Sequence, residues 1–343
     1  MKNLWIFFVV ILLVVLSIIS YDHIQSFSQS QIKTIISFNQ LKGPYLGQKL
    51  PTSTPEIFAQ KLISRGFHEL GIALSSDGEE IFYIMSDRGY QHYSLVHILR
   101  VDGIWTKPQL AKFATKMSVY TCFFAPDGDT FYFSTNRPVI YESDTLKGTQ
   151  NWCVKKIEGQ WQTAKLIDAP LDLEKKDRIH SISKFNNLYL TRELADGNTE
   201  IFVSHWENSQ FQKPQPIKGL VNSRYGEGRP FVAPDESCLI FQSDREKGYG
   251  SNDLWISFKD SNNQWSGPVN LDGNINTASS EFGPVLSPDG KYLFFSSYRP
   301  FDPELLKNKT YNELLALYSS PQNGYATLYW VDAKIFKELK SQD

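Results

Sequence analysis

Ser287-Pro288-Asp289-Gly290, the run Tyr292-Leu293-Phe294-Phe295 and the ending Ser296-Ser297-Tyr298-Arg299 form a turn, an apolar strand and a polar stop. The turn recurs as Ala125-Pro126-Asp127-Gly128, Ala233-Pro234-Asp235-Glu236 and Ser75-Ser76-Asp77-Gly78, with a worn copy at Ser183-Lys184-Phe185-Asn186. The copies lie about 50 residues apart, the period of a β-propeller blade. A second marker keeps the same step. Trp105-Thr106-Lys107-Pro108, Trp161-Gln162-Thr163-Ala164, Phe211-Gln212-Lys213-Pro214 and Trp265-Ser266-Gly267-Pro268 close successive repeats at separations of 56, 50 and 54 residues. The linkers agree too, since Asn222 and Glu227 follow Pro214 by 8 and 13 residues, as Asn276 and Glu281 follow Pro268. Five repeats are counted, with six blades as the alternative should the segment before them hide a further set of strands.

The composition fits an all-β domain. The 343 residues are 41% hydrophobic and 14% aromatic. A folded unit of this size hides roughly 75% of the surface of its extended chain. The aromatics sit in short runs such as Ile81-Phe82-Tyr83-Ile84 and Phe131-Tyr132-Phe133, bounded by turn residues, as in short strands. Thirty-five basic residues against thirty-seven acidic leave a net charge of −2. With no basic run longer than Lys155-Lys156 or Lys175-Lys176, the chain lacks the footprint that nucleic acid requires.

Residues 1–20 are a different material. Leu4 to Ile19 is apolar but for Ser17, behind a single Lys2. As a helix its length would be about 24 Å against a hydrocarbon core of about 30 Å. Ile18 is not the small residue of an Ala-x-Ala cleavage site, so an uncleaved inner-membrane anchor through residues 4–20 is preferred to a signal peptide. Either way the remainder is expected to be exported, on the periplasmic side of the cytoplasmic membrane or secreted. Residues 21–50, rich in Ser and Gln, read as a tether and 51–337 as the propeller, followed by a tail at 338–343.

Pro55-Glu56-Ile57-Phe58-Ala59-Gln60 lines up with the last strand of a blade, as in Pro268-Val269-Asn270-Leu271, while the repeat starting at Glu281 lacks a Trp-x-x-Pro ending. Pairing the Phe58 strand with the Leu328 strand would therefore close the ring and remove its open edges. Residues 301–325 interrupt this last repeat, and Asp302-Pro303-Glu304 opens like a capped helix. Cys122, Cys153 and Cys238 read as free thiols. The strands carrying Cys122 and Cys153 stand two spacings apart, near 10 Å, beyond disulfide reach. No Cys-x-x-Cys or His-x-x-x-His spacing points to a metal, and no cofactor is implied.

The SPDG-like turns, the endings Ser86-Asp87-Arg88 and Ser243-Asp244-Arg245, and the run Gly248-Tyr249-Gly250-Ser251-Asn252-Asp253-Leu254-Trp255 resemble the WD40-like repeats of TolB-type propellers. The resemblance covers about residues 41 to 337 and includes the lead-in Gly43-Pro44-Tyr45-Leu46-Gly47-Gln48. It implies a propeller, export and a role as an interaction platform, and no reaction. The chain is too short ahead of its first repeat for TolB's additional α/β domain. It also lacks the hydrolase domain and Gly-x-Ser-x-Gly elbow of peptidases that carry such propellers.

In a blade the residues that begin the first strand and those that end the second lie on one rim. Glu69, Asp177, Glu227 and Glu281 occupy the first position; Arg88, Arg137, Arg245 and Arg299 the second. Blade 2 has Val119 in place of the acid and blade 3 has Leu194 in place of the Arg. Acid and Arg repeated in phase most simply pair across blade boundaries. Members left over would line a polar pocket, and the gaps in blades 2 and 3 mark where to look. Tyr249, with Trp255 just beyond, lies near the same rim and could stack on a sugar or peptide, although Trp255 suits packing between blades. His68, His92 and His180 read as structural histidines. The expectation is a binding module holding a protein, peptide or glycan at this rim, with no catalytic residue assigned. The alternative is a polysaccharide hydrolase or lyase using Glu69, Glu227 or Glu281, which needs two carboxylates about 5 to 10 Å apart.

Overall fold

The computed structural model describes residues 41–340, apart from 116, 142, 143, 147 and 173–175. They form five antiparallel blades around a central channel. Blade 1 comprises His68–Leu74, Glu80–Ser86, Tyr93–Val101 and Gln109–Leu110; blade 2, Val119–Phe124, Thr130–Thr135, Gln150–Ile157 and Lys165–Leu166. Blade 3 comprises Arg178–Ile182, Leu188–Glu193, Thr199–Ser204 and Gln215–Pro216; blade 4, Glu227–Val232, Cys238–Ser243, Asp253–Phe258 and Val269–Asn270. Blade 5 is composite: Glu281–Leu286, Tyr292–Ser297 and Thr327–Asp332 are completed by Glu56–Ile57.

The repeated turn joins the first two strands of each blade for a local reason. Gly78, Gly128 and Gly290 stand at φ 71, 78 and 68°, and Glu236 and Asn186 hold the same left-handed conformation in the remaining blades. The preceding Asp turns back on the chain: Asp77, Asp127, Asp235 and Asp289 each accept from the backbone N–H two residues on, at 3.0 to 3.2 Å. These Asp-Gly turns are hairpin devices.

Closure is as the sequence predicts. Glu56 pairs with Trp330 and Ile57 with Tyr329, and Phe58 N donates to Leu328 O at 2.8 Å. The Phe58 ring is wholly buried between Phe294 and Trp330, with centroids 5.1 and 5.2 Å away. The seam is thus both a hydrogen-bonded edge and an apolar lock. The lead-in adds to it, because Tyr45 packs on Tyr292 and Trp330 while Trp105 Nε1 donates to Gly43 O. Residues 41–48 are therefore docked on the body, although the sequence reading assigns them to a tether. At the other end the helix Ile335–Lys340 buries Leu339 against blades 4 and 5, so packing continues past residue 337.

The core lies between blades. Phe82, Phe131 and Phe133 join blades 1 and 2; Ile179, Leu188 and Leu190 meet Phe123 between blades 2 and 3; Tyr189 and Ile201 meet Phe241 and Trp255 between blades 3 and 4; and Ile240 and Ile256 meet Phe295 and Tyr329 between blades 4 and 5. The repeat-closing Trp serves these seams, with Trp161 within 6 Å of the rings of Phe82 and Phe131 from blade 2. Cys122, Cys153 and Cys238 are free. Among the described residues no helix is long and apolar enough to cross a membrane. The segment 4–20 read as an anchor lies outside the described residues.

Candidate functional site

Blades 4 and 5 build one module twice. Glu227 takes the N–H of Ser223 at 3.0 Å, the hydroxyls of Ser223 and Ser243 at 2.5 and 3.2 Å, and Arg245 Nη2 at 2.8 Å. Glu281 takes the N–H and hydroxyl of Thr277 at 2.8 Å, the hydroxyl of Ser297 at 2.6 Å and Arg299 Nη2 at 3.5 Å. Each Arg also donates Nε to that same Ser and Nη2 to a carbonyl, of Val221 or Ile275. Both carboxylates are 0% exposed. Acid and Arg pair within a blade, and not across the boundary as the sequence reading assumes. The hairpin puts Glu227 directly opposite Ser243, so the Arg two residues on is already in reach.

Blade 3 reaches the same pair by another residue. Arg192 stands at the cross-strand position that Ser243 holds in blade 4, and its Nε and Nη2 grip Asp177 Oδ1 and Oδ2 at 2.6 Å each. The missing Arg at Leu194 is thus replaced two residues earlier. In blade 2 Val119 is buried, and Arg137 lies over the Trp152 ring at 4.6 Å.

Blade 1 has both residue types and does not pair them. Arg88 stands ten residues after Gly78, whereas Arg299 stands nine after Gly290. That extra residue puts Met85 opposite Glu69, where blade 5 has Ser297. Arg88 falls beyond reach and sits over the Tyr325 ring at 5.6 Å. Glu69 Oε1 takes the N–H of Arg65 at 3.1 Å, and its Oε2 is buried with no partner at hydrogen-bond distance. Burial raises its pKa from 4.5 to about 8, against the lowering effect of the Arg65 and Phe67 N–H groups.

The other expected members divide. Tyr249 is 53% exposed and its ring lies on Gly273. The N–H groups of Tyr249 and Gly250 donate to Asp253 at 2.6 and 3.0 Å, which shapes the Gly-rich loop. Trp255 is buried between blades 3 and 4. His68 is held by Tyr90, whose hydroxyl meets Nδ1 at 2.6 Å, and burial lowers its pKa. His92 N donates to Asp87 Oδ1 in a surface turn.

The channel itself carries residues that strand alternation hides. Each first strand has a register shift one or two residues inside the rim, and these bulges decide which side chains face the axis. A cavity of 290 Å³ there is lined by Tyr93, Tyr120, Lys176, Arg178, His180, Thr191, Glu193, Arg229 and Gln242, among others. Lys176 and Glu193 neutralise each other at 2.7 Å. Arg178 and Arg229 have no carboxylate partner among the described residues; they lie over the rings of Tyr120 and Phe282 at 5.6 and 5.1 Å. Burial, followed by the charges of Arg229 and Arg178, lowers the His180 pKa well below its ordinary value. Tyr90 and Tyr298 share a hydroxyl–hydroxyl hydrogen bond beside them. In sequence the one visible signal was Arg229, standing where the next repeat has Gly283.

Two further surfaces frame this site. A larger cleft of 760 Å³ lies between blades 1 and 2, but its acid is already occupied: Glu80 binds Lys156, Trp161 Nε1 at 3.0 Å and His97 Nε2 at 3.1 Å. The insertion stands on the mouth side, between the ends of the second and third strands of blade 5. Asp302 caps its first turn and Thr310 with Glu313 forms a capping box for the helix Tyr311–Tyr318. Its apolar residues Leu305, Leu306, Tyr311, Leu315 and Tyr318 are 37 to 75% exposed. Among the described residues no cluster of three or more His, Cys, Asp or Glu is placed to hold a metal.

Neither a scan of protein-family patterns nor a search of curated proteins finds a match. Solved structures that are similar include a protein described as TolB from Agrobacterium tumefaciens, at 16% identity over 69% of this chain and 73% of that one, with a TM-score of 0.44. A xylan beta-1,4-xylosidase from Bacillus halodurans gives 12% identity over 80% of this chain and 54% of that one, with a TM-score of 0.46. An alpha-L-arabinofuranosidase from Lactobacillus brevis gives 11%, 78% and 91%, with a TM-score of 0.44. The chain thus spans about half the length of the xylosidase. Likeness of this extent adds nothing about a reaction.

Proposed function

We propose that the protein is a binding module of the cell envelope, holding its partner at the channel mouth where the insertion stands. The observation that supports this most is the state of the rim carboxylates. Glycoside hydrolysis needs an acid and a second carboxylate open to substrate. Asp177, Glu227 and Glu281 are wholly buried and bound to their own blades' Arg, and Glu69 is wholly buried as well. Beside this ion-paired rim the insertion offers solvent a set of leucines and tyrosines, a surface suited to a protein or peptide partner. The apolar stretch Leu4 to Ile19 supports an exported location.

The test is a protein, peptide and glycan binding screen on the full chain, run beside a polysaccharide-cleavage assay. The variant Leu305→Ser, Tyr311→Ser, Leu315→Ser changes only exposed side chains, so its melting temperature should match the parent while partner capture falls by about tenfold or more. Cleavage of any polysaccharide that Glu227→Gln or Glu69→Gln abolishes would overturn the reading in favour of a hydrolase or lyase.

A further inference from the structure

We infer that the channel is a site for an acidic sugar, its carboxylate held between Arg178 and Arg229 and its ring set against Tyr93 and Tyr120. This goes beyond the binding reading, which concerns the insertion, and rests on it in one respect, that the ligand is held and not cleaved.

The argument begins with charge. Arg178 and Arg229 line one cavity and are close enough that the charge of each acts on His180. Two guanidinium groups facing one space repel each other, and the carboxylate that shares this lining, Glu193, is taken up by Lys176 at 2.7 Å. An anion relieves that repulsion, and a guanidinium matches a carboxylate bidentately.

The backbone adds an independent sign. Arg229 has φ 49° and Gly283, at the same place in blade 5, has φ 61°. No other residue of the five first strands stands in the left-handed region. An L-residue bears a cost there that glycine does not, and such strain persists only where the surroundings hold it, which is a recurrent feature of ligand sites.

The remaining lining separates a sugar from a bare anion. Tyr93 and Tyr120 meet edge to face at 5.2 Å, giving an aromatic corner for a sugar ring. Two side chains of the cavity each have a buried atom without a partner, a donor at Arg178 Nε and an acceptor at Gln242 Oε1, and Thr191 lies beside them. A ligand with one carboxylate and several hydroxyls answers donor and acceptor together; phosphate, whose O–H groups at neutral pH also reach an acceptor, brings no ring for the aromatic corner. The cavity's 290 Å³ stands at the lower end of the range for small-molecule pockets, about 300 Å³, which suits a small ligand.

Calorimetry on the full chain at low salt, with methyl glucuronoside, methyl glucoside, inorganic phosphate and an acetylated dipeptide as probes, tests the inference. The glucuronoside should bind at least about tenfold more tightly than the other three. Arg229→Gly, which blade 5 shows the backbone accepts, should abolish that binding while its melting temperature equals or exceeds the parent's; a purely structural Arg229 would give a lower one. Arg178→Gln should weaken the glucuronoside by about tenfold and leave the glucoside unchanged. Equal binding of glucoside, phosphate or dipeptide, no binding of the glucuronoside, or an unchanged Arg229→Gly would overturn the assignment. If the glucuronoside fails while the insertion still captures its partner, this inference alone falls. If a glucuronic-acid oligomer is bound at the two arginines and then cleaved, the acidic-sugar site stands and the binding-module reading falls.

Discussion

Blade 1 and blade 5 carry the same acid at the same place in the fold, and treat it in opposite ways. Glu281 has two hydroxyls, an N–H and a guanidinium around it; Glu69 has the Arg65 N–H on one oxygen, no hydroxyl and no guanidinium in bonding reach, and an orphaned second oxygen. Both are wholly buried. The difference comes from one extra residue between Gly78 and Arg88, which puts a thioether opposite Glu69 in place of a hydroxyl and moves the guanidinium away. Burying an acid is thus neither stabilising nor destabilising in itself. The outcome depends on whether partners arrive with it.

The comparison breaks first in blade 4, where the module is complete. Glu227→Ala would leave Arg245 and two hydroxyls facing an empty site, and removing one partner of a buried pair should cost about 4 kcal/mol. Chemical denaturation at pH 7 measures it. A loss under about 1 kcal/mol would mean that these pairs are no more than ordinary surface ion pairs.

Next comes a change of opposite sign. The folded pKa of Glu69, about 8, lies above its ordinary 4.5. Below pH 4.5 the carboxyl is protonated in both states and its titration contributes nothing. Between pH 4.5 and 8 the unfolded chain releases the proton while the folded chain keeps it, so stability falls as pH rises through that window. Glu69→Gln removes the titration. Set against a cost of about 1.4 kcal/mol for the unpaired N–H of the new amide, it should stabilise the protein by on the order of 3 kcal/mol at pH 8 and destabilise it by about 1 kcal/mol at pH 4.5. Melting curves taken from pH 5 to 8 should flatten in the variant. Because the lowered pKa values of His68 and His180 act with the opposite sign, the difference between parent and variant is what isolates Glu69, and a difference that holds level across that range would show that Glu69 is ionised and paired.

How much of this stands in the sequence depends on how local each cause is. The blades were legible because the Asp-Gly turn and the Trp-x-x-Pro ending are short-range devices, and closure because Glu56 to Phe58 matches the missing fourth strand. The ion pairs were legible as a set of residues and not as a set of partners. Arg192 makes the pair of blade 3 from a position that alignment on Leu194 passes over, and the late Arg88 shows only when residues are counted from the turn. Arg178 was hidden, and Arg229 showed only as a mismatch with Gly283, for a different reason. A bulge inside each first strand breaks the period-2 alternation that assigns side chains to faces, so which residue meets the channel is settled by a register shift that no single repeat displays.

The smallest effect belongs to Arg88, and it is the most discriminating. By sequence it is the counterpart of Arg299, whose guanidinium serves an acid, a hydroxyl and a carbonyl at once. By structure its recorded contact is the Tyr325 ring at 5.6 Å, from an exposed position. A cation–π contact open to water contributes about 0.5 kcal/mol. Arg88→Ala should therefore cost no more than about 0.5 kcal/mol and leave the pH dependence of melting unchanged, since the ionisation of Glu69 does not depend on it. A larger loss that grows from pH 5 to pH 8 would mean that Arg88 reaches Glu69 in solution, and blade 1 would then be a fourth ion-paired blade with a longer arm.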